Sequence, residues 1–205
     1  MDIKPNFEQI CISGPDPRTT GGLDRWHGRN SWLYLDGRKI NGVPCPLVNL
    51  GHGCPISLAE AVTLPFEIMG QDATPDQIAA DFHAVSRAPF NFRPDGYENY
   101  SVCRLPEEEI DRLTKKRFAT LIVVLRHLFP QFEEWPEHAK AGALDLFYAH
   151  DLAVAVTYFS LLEALKVRDF NLAARRCRED MMVPAFLVRN AARAKLFVEA
   201  GKAIA

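Results

Sequence analysis

Residues 25–36 read RWHGRNSWLYLD, from Arg25-Trp26-His27-Gly28 into Ser31-Trp32-Leu33-Tyr34-Leu35-Asp36. The two halves follow different periods. The segment LDRWHG ending at Gly28 reads as a short helix stopped by glycine, whereas SWLYLD alternates apolar and polar side chains as a half-buried strand does. Downstream, residues 37–53 (GRKINGVPCPLVNLGHG) offer Asn41-Gly42 as a hairpin turn, Pro44 and Pro46 as strand interrupters, and LVNL as a short strand. Residues 30–55 therefore form a small β lobe.

Helical patterns follow the lobe. SLAEAVTLPF starts at Ser57 and is ended by Pro65, and Thr74, Pro75 and Gln77 spell a capping box at the head of the next helix. LPEEEIDRLTKKRFATLIVVLRHLF carries acids in its first turn and bases later, with an apolar stripe through Ile110, Leu113, Leu121, Ile122, Leu125 and Leu128, as one helix or as two meeting near Arg117. Further helices start at Pro136 and Pro184, and the last stops at Gly201. NFRPDGYENYSVC reads as a surface loop packed on the lobe or as the edge of a groove. Residues 1–22, ending in SGPDPRTTGG, read as an irregular lead-in. The predicted architecture is α+β: one domain over residues 23–205, with a β lobe at about 30–55 and a helical body at about 56–201.

With 205 residues and 48% hydrophobic content the chain has ample material for a core. A formal net charge of -2 leaves no global positive field, so neither a nucleic-acid partner nor an anionic membrane surface is expected. No apolar run reaches the roughly 18 residues of a spanning helix, and the start lacks a secretory signal pattern, so synthesis in the cytoplasm is expected. Cys11, Cys45, Cys54, Cys103 and Cys177 contain no C-x-x-C pair and read as mostly reduced and buried, although Cys45 and Cys54 are close enough in sequence to pair in an oxidising compartment. His27, Asp36, Cys45, His52 and Cys54 are residue types that suit zinc. Their spacing follows no closed-site pattern and Cys45 sits between two prolines, so no metal and no other cofactor is expected.

In order along the chain, Trp26, Gly28, Tyr34-Leu35-Asp36, Gly51-His52, Leu64-Pro65-Phe66, Asp169-Phe170, Ala173-Ala174 and Arg189-Asn190 form a pattern. It resembles that of the phage-type lysozymes of glycoside hydrolase family 24, above all the lysozyme-like proteins of bacterial type VI secretion loci. The resemblance implies a lysozyme-like fold and a cleft directed at the peptidoglycan glycan strand, with delivery by a secretion system. It also implies two carboxyl groups, one to protonate the glycosidic oxygen and one to support the oxocarbenium-like transition state. Asp36 falls on the second. The first falls on His27, nine residues earlier. The family's water-holding hydroxyl falls on Leu47, a family glycine on Asn49, and the F-N-x-G of relatives on Phe147-Tyr148-Ala149-His150. His52 falls on a histidine with a structural role, and Arg189 on the arginine that pairs with the glutamate replaced here.

A protonated imidazole can donate a proton, and Asp36 nearby would favour that form. Glutamic acid becomes anionic as it donates and so attracts the sugar cation, whereas imidazolium ends neutral. At about 5 Å and an effective dielectric near 20 that difference is about 3 kcal/mol, worth roughly a hundredfold in rate. A cationic neighbour at Arg189 would further disfavour imidazolium. Leu47 cannot hold a water by hydrogen bonding. The expectation is a muramidase-fold protein with lost or much reduced turnover, beside two alternatives: an active enzyme of altered chemistry using Asp36 and His27, and a pseudoenzyme that binds a secretion-associated protein.

Overall fold

The computed structural model describes residues 6–13, 28–36, 39–40, 43–44, 47–91, 93–150, 154–179 and 184–204. The predicted helix before Gly28, with His27 in it, lies outside them, as do Asn41-Gly42 and Cys45. The chain is mixed α and β and divides into two compact units, His27–Lys116 on one side and Met1–Trp26 with Arg117–Ala205 on the other. Among the described residues no helix is long and apolar enough to cross a membrane.

The unit of His27–Lys116 is built on a three-stranded antiparallel sheet. Strand β1 (Asn30–Asp36) pairs with β4 (Leu47–Gly51), and β4 with β5 (Cys54–Pro55). Between β1 and β4, β2 (Lys39–Ile40) pairs antiparallel with β3 (Val43–Pro44), with Ile40 opposite Val43. Leu33, Leu35, Val48 and Leu50 are buried in a core shared with Phe66, Val85 and Ile110. The β1–β4 register slips between Asn30 and Tyr34, and in that stretch the Ser31 carbonyl accepts a hydrogen bond from Leu105 N–H at 2.7 Å.

Helix α1 (Phe7–Ser13) belongs to the other unit, while α2 (Leu58–Ala61) follows β5. A reciprocal Ser57–Glu60 capping box opens α2. It closes after one turn, earlier than Pro65 predicts: the Thr63 hydroxyl donates to the Glu60 carbonyl, and the residue before a proline is biased away from helix. Pro65 is followed by an antiparallel hairpin of β6 (Glu67–Ile68) and β7 (Gln71–Asp72), whose Glu67 also bridges Arg104. Helix α3 (Pro75–Ser86) carries the Thr74–Gln77 capping box. The loop 90–104 packs on β1, where Trp32 Nε1 donates to the Pro94 carbonyl at 2.9 Å. Buried Asp81 of α3 pins its far end, accepting Ser101 Oγ at 2.7 Å and Val102 N–H at 2.6 Å.

Helix α4 (Glu107–Leu128) is continuous and is shared between the units at Lys116 and Arg117. No proline or glycine interrupts it, so the two-helix alternative has no breaker. In the other unit follow α5 (Glu137–His150), α6 (Val154–Thr157), α7 (Phe159–Lys166), α8 (Phe170–Glu179) and α9 (Pro184–Ile204). Helix α9 packs on α8 and α5, and Trp135 lies among Phe129, Phe132 and Phe170.

The lead-in is not wholly irregular. Asn6 Oδ1 accepts Gln9 N–H at 2.9 Å and Gln9 Oε1 accepts Asn6 N–H at 3.3 Å, the reciprocal pattern of a capping box that starts α1. Its Ile10 and Cys11 are buried, Ile10 in a cluster with Ala141 and Leu196. Glu137 Oε2 accepts the Phe7 N–H at 2.8 Å, and Lys140 Nζ lies over the Phe7 ring. Burial on α5 orders a helix too short to stand alone.

Candidate functional site

Asp36 closes β1 and is half-buried. Its ladder partner is Leu47, and Tyr34 stands opposite Asn49. Residues directly opposite in an antiparallel pair point to the same side, and so do alternate residues on one strand. One sheet face therefore carries Asp36, Leu47, Tyr34 and Asn49 together. Leu47 is 39% exposed, whereas Asn49 is fully buried.

Asn49 has a divided role. Its Nδ2 donates to the Leu47 carbonyl at 2.8 Å, holding the strand end, while its Oδ1 is buried with no hydrogen-bond partner. A buried amide oxygen without a donor costs about 1–3 kcal/mol. Tyr34, whose phenol burial pushes up beyond its usual range with a further push from Asp36, donates to the Gly51 carbonyl at 3.4 Å and stays neutral.

His52 is buried at the β4–β5 turn, with Nδ1 3.0 Å from Thr114 Oγ1. The Thr114 hydroxyl donates to the Ile110 carbonyl at 2.9 Å, so it can only accept from His52, and Nδ1 carries a proton. This contact ties the turn to α4.

The remaining predicted residues lie in the helical unit. Tyr148 is a core residue, buried edge-on to Phe118 with the Arg117 guanidinium 4.5 Å from its ring centroid. His150 ends α5, its Nε2 3.1 Å from the Tyr158 hydroxyl. Arg189 engages Asp145 through Nη2 at 2.7 Å and Nε at 3.2 Å. Arg193 meets the other carboxylate oxygen through Nη2 at 2.6 Å and Nε at 2.9 Å, and its Nη1 donates to Asn190 Oδ1 at 2.6 Å. Asp145, Arg189, Arg193 and Asn190 are all buried. Burial pulls the Asp145 pKa up, but the charges of Arg189 and Arg193 overcome it and hold the carboxyl well below the usual range.

The positive charge that the resemblance sets opposite residue 27 is thus answered by Asp145 inside the helical unit. Sequence reasoning missed Asp145, although an acid inside the apolar run AGALDLFYA is a sequence-level signal of a paired, buried charge. Among the described residues, no three His, Cys, Asp or Glu side chains gather as metal ligands would. Comparison of the chain with family models, with curated proteins and with solved structures returned no match.

Proposed function

We propose that this chain is a lysozyme-like protein directed at the peptidoglycan glycan strand, with glycosidase turnover lost or much reduced, delivered by a secretion system. The reading rests on the resemblance and, above all, on the pairing of Asp36 with Leu47 across the β1–β4 ladder. A carboxylate at the strand end has beside it a side chain unable to hold water, so activation of a nucleophilic water there is unsupported. Retained binding rests on the resemblance, since Asn49 is fully buried and its Oδ1 faces no solvent.

Two assays on purified, insoluble peptidoglycan test the reading. Co-sedimentation should show binding, and release of reducing ends should be near background. His27→Glu combined with Leu47→Thr should then raise release at least about tenfold, the gain expected when a general acid is supplied. Rapid release by the unaltered chain, abolished by Asp36→Asn, would establish the active-enzyme alternative instead. Absence of both binding and gained release would overturn the glycan reading and leave a protein partner as the ligand.

A further inference from the structure

The β6–β7 hairpin is fixed at its base and open at its tip. Glu67 N–H donates to the Arg104 carbonyl and Arg104 N–H to the Glu67 carbonyl, both at 2.8 Å, and Ala73 N–H donates to the Phe66 carbonyl at 2.8 Å. Ile68 packs against the core of its unit. Past these anchors Met69 and Gly70 make the turn with positive φ, 52° and 78°. Met69 is 100% exposed, and a Cβ on Gly70 would meet nothing within 4 Å. Left-handed backbone strains a residue that carries a side chain, and such two-residue turns favour asparagine, aspartate or glycine at the first position. The Met69 side chain offsets none of that strain by packing. What it supplies is a thioether held in water.

A thioether reacts with two-electron oxidants without first losing a proton, whereas a thiol must become the thiolate. The sulfurs of the described residues fall on opposite sides of that divide. Cys11, Cys54, Cys103 and Cys177 are all buried. Burial pushes the Cys11 thiol well above its usual range, and burial reinforced by Asp81 takes Cys103 up to about 12. Such groups are shielded twice, by packing and by the proton they keep. Met69 has neither protection. Its oxidised form is tolerated as well, because a polar sulfoxide disrupts a methionine packed in a core and not one already in water.

We propose that Met69 is an oxidant-accepting site, where a hydroperoxide is consumed without loss to the fold. The sulfur lone pair attacks one peroxide oxygen, and the S–O bond forms as the O–O bond breaks. Sulfur is oxidised by two electrons and the peroxide is reduced. With hydrogen peroxide, the proton on the transferred oxygen passes to the departing hydroxide, which leaves as water. The same exposure admits a thiol-dependent methionine sulfoxide reductase, which returns the thioether and releases the oxygen as water while two thiols join in a disulfide. The hairpin tip is thus a renewable sink for peroxide, independent of whether the chain binds glycan.

Hydrogen peroxide in molar excess over the full chain, followed by peptide mass mapping over time, tests it. Met69 should gain one oxygen in the native chain at a rate within about twofold of its rate in the urea-unfolded chain, and that rate should not change between about pH 6 and pH 8. The peptides of Cys11, Cys54, Cys103 and Cys177 should remain unoxidised when Met69 is fully converted. The oxidised protein should melt within about 1 °C of Met69→Leu treated alike, and a methionine sulfoxide reductase with dithiothreitol should remove the oxygen from Met69. Native oxidation of Met69 slower than in the unfolded chain by about tenfold or more would reveal a shielded sulfur and overturn the proposal. Oxidation of any of the four cysteines ahead of Met69, or a melting temperature that peroxide lowers in the parent and not in Met69→Leu, overturns it equally.

Discussion

Arg193 lies wholly inside the helical unit with its guanidinium Nη2 2.6 Å from Asp145 Oδ2, while Arg189 grips the other oxygen of the same carboxylate. One acid thus joins two arginines one helical turn apart on α9 to the middle of α5. Burial of so much charge is tolerated because both carboxylate oxygens are hydrogen-bonded and Asn190 takes a further guanidinium N–H.

Asp145→Asn should therefore destabilise the protein by about 3–5 kcal/mol, since it leaves two buried guanidiniums without their anion. Urea unfolding of the full chain, followed by far-UV circular dichroism, measures this. A loss below about 1 kcal/mol would mean that water reaches the cluster and screens it.

The same carboxylate sets the acid limb of stability. Its folded pKa is depressed below the unfolded value of about 3.9, so its contribution is complete above that value and is lost as pH falls through it toward the folded pKa. Between about pH 5 and pH 2 the unfolding free energy should drop more steeply in the parent than in Asp145→Asn. Parallel slopes in the two proteins would place the depressed acid elsewhere.

Asp81 offers a reaction-based readout. Burial, reinforced by Asp81, pushes the Cys103 thiol up to about 12, so at pH 8 only about one molecule in ten thousand carries the thiolate that alkylating agents attack. Iodoacetamide on the native protein should leave the Cys103 peptide unlabelled. Asp81→Ala removes the acceptor of Ser101 Oγ and Val102 N–H, should cost about 1–3 kcal/mol, and should make Cys103 label at least tenfold faster as the loop opens. Unchanged labelling would mean that the loop holds without its anchor.

What the sequence disclosed follows the range of the forces involved. The Thr74–Gln77 and Ser57–Glu60 boxes act over three residues and are readable as spelling. The Asn6–Gln9 box has the same reach, yet the glycine- and proline-rich residues behind it hid α1, whose order depends on docking against α5. Asp145 finds Arg189 and Arg193 at separations of 44 and 48 residues, and only the fold brings them together. The β6–β7 hairpin was hidden for a different reason. Its strands are two residues each, too short for alternation to register, and Met69 breaks the usual turn chemistry. For the candidate site, the resemblance pointed to Asp36 and Leu47 one by one, whereas their pairing across the ladder, the engagement of Arg189 by Asp145 and the core position of Tyr148 required packing to see.

Gly51 links the site face to its support, and its substitution separates strain from contact. It takes φ +57°, and a Cβ there would stand 2.9 Å from Ile110 Cγ2. Gly51→Ala should cost about 1–2 kcal/mol for the left-handed backbone and about 1–3 kcal/mol more for the crowding. Ile110→Ala removes the crowding atom and by itself costs about 2–5 kcal/mol through the cavity. In the double variant only the backbone and cavity costs remain, so its destabilisation should fall short of the sum of the single ones by about 0.5–3 kcal/mol, read by urea unfolding of all four proteins. Strict additivity would show that Ile110 yields without strain. The Gly51 carbonyl also accepts Tyr34 Oη–H and, at 3.5 Å, Asn30 Nδ2–H, so displacing it loosens the β1–β4 pairing that sets Asp36 opposite Leu47. Gly51→Ala should consequently weaken peptidoglycan co-sedimentation even where the protein remains folded, and Ile110→Ala should recover part of that loss.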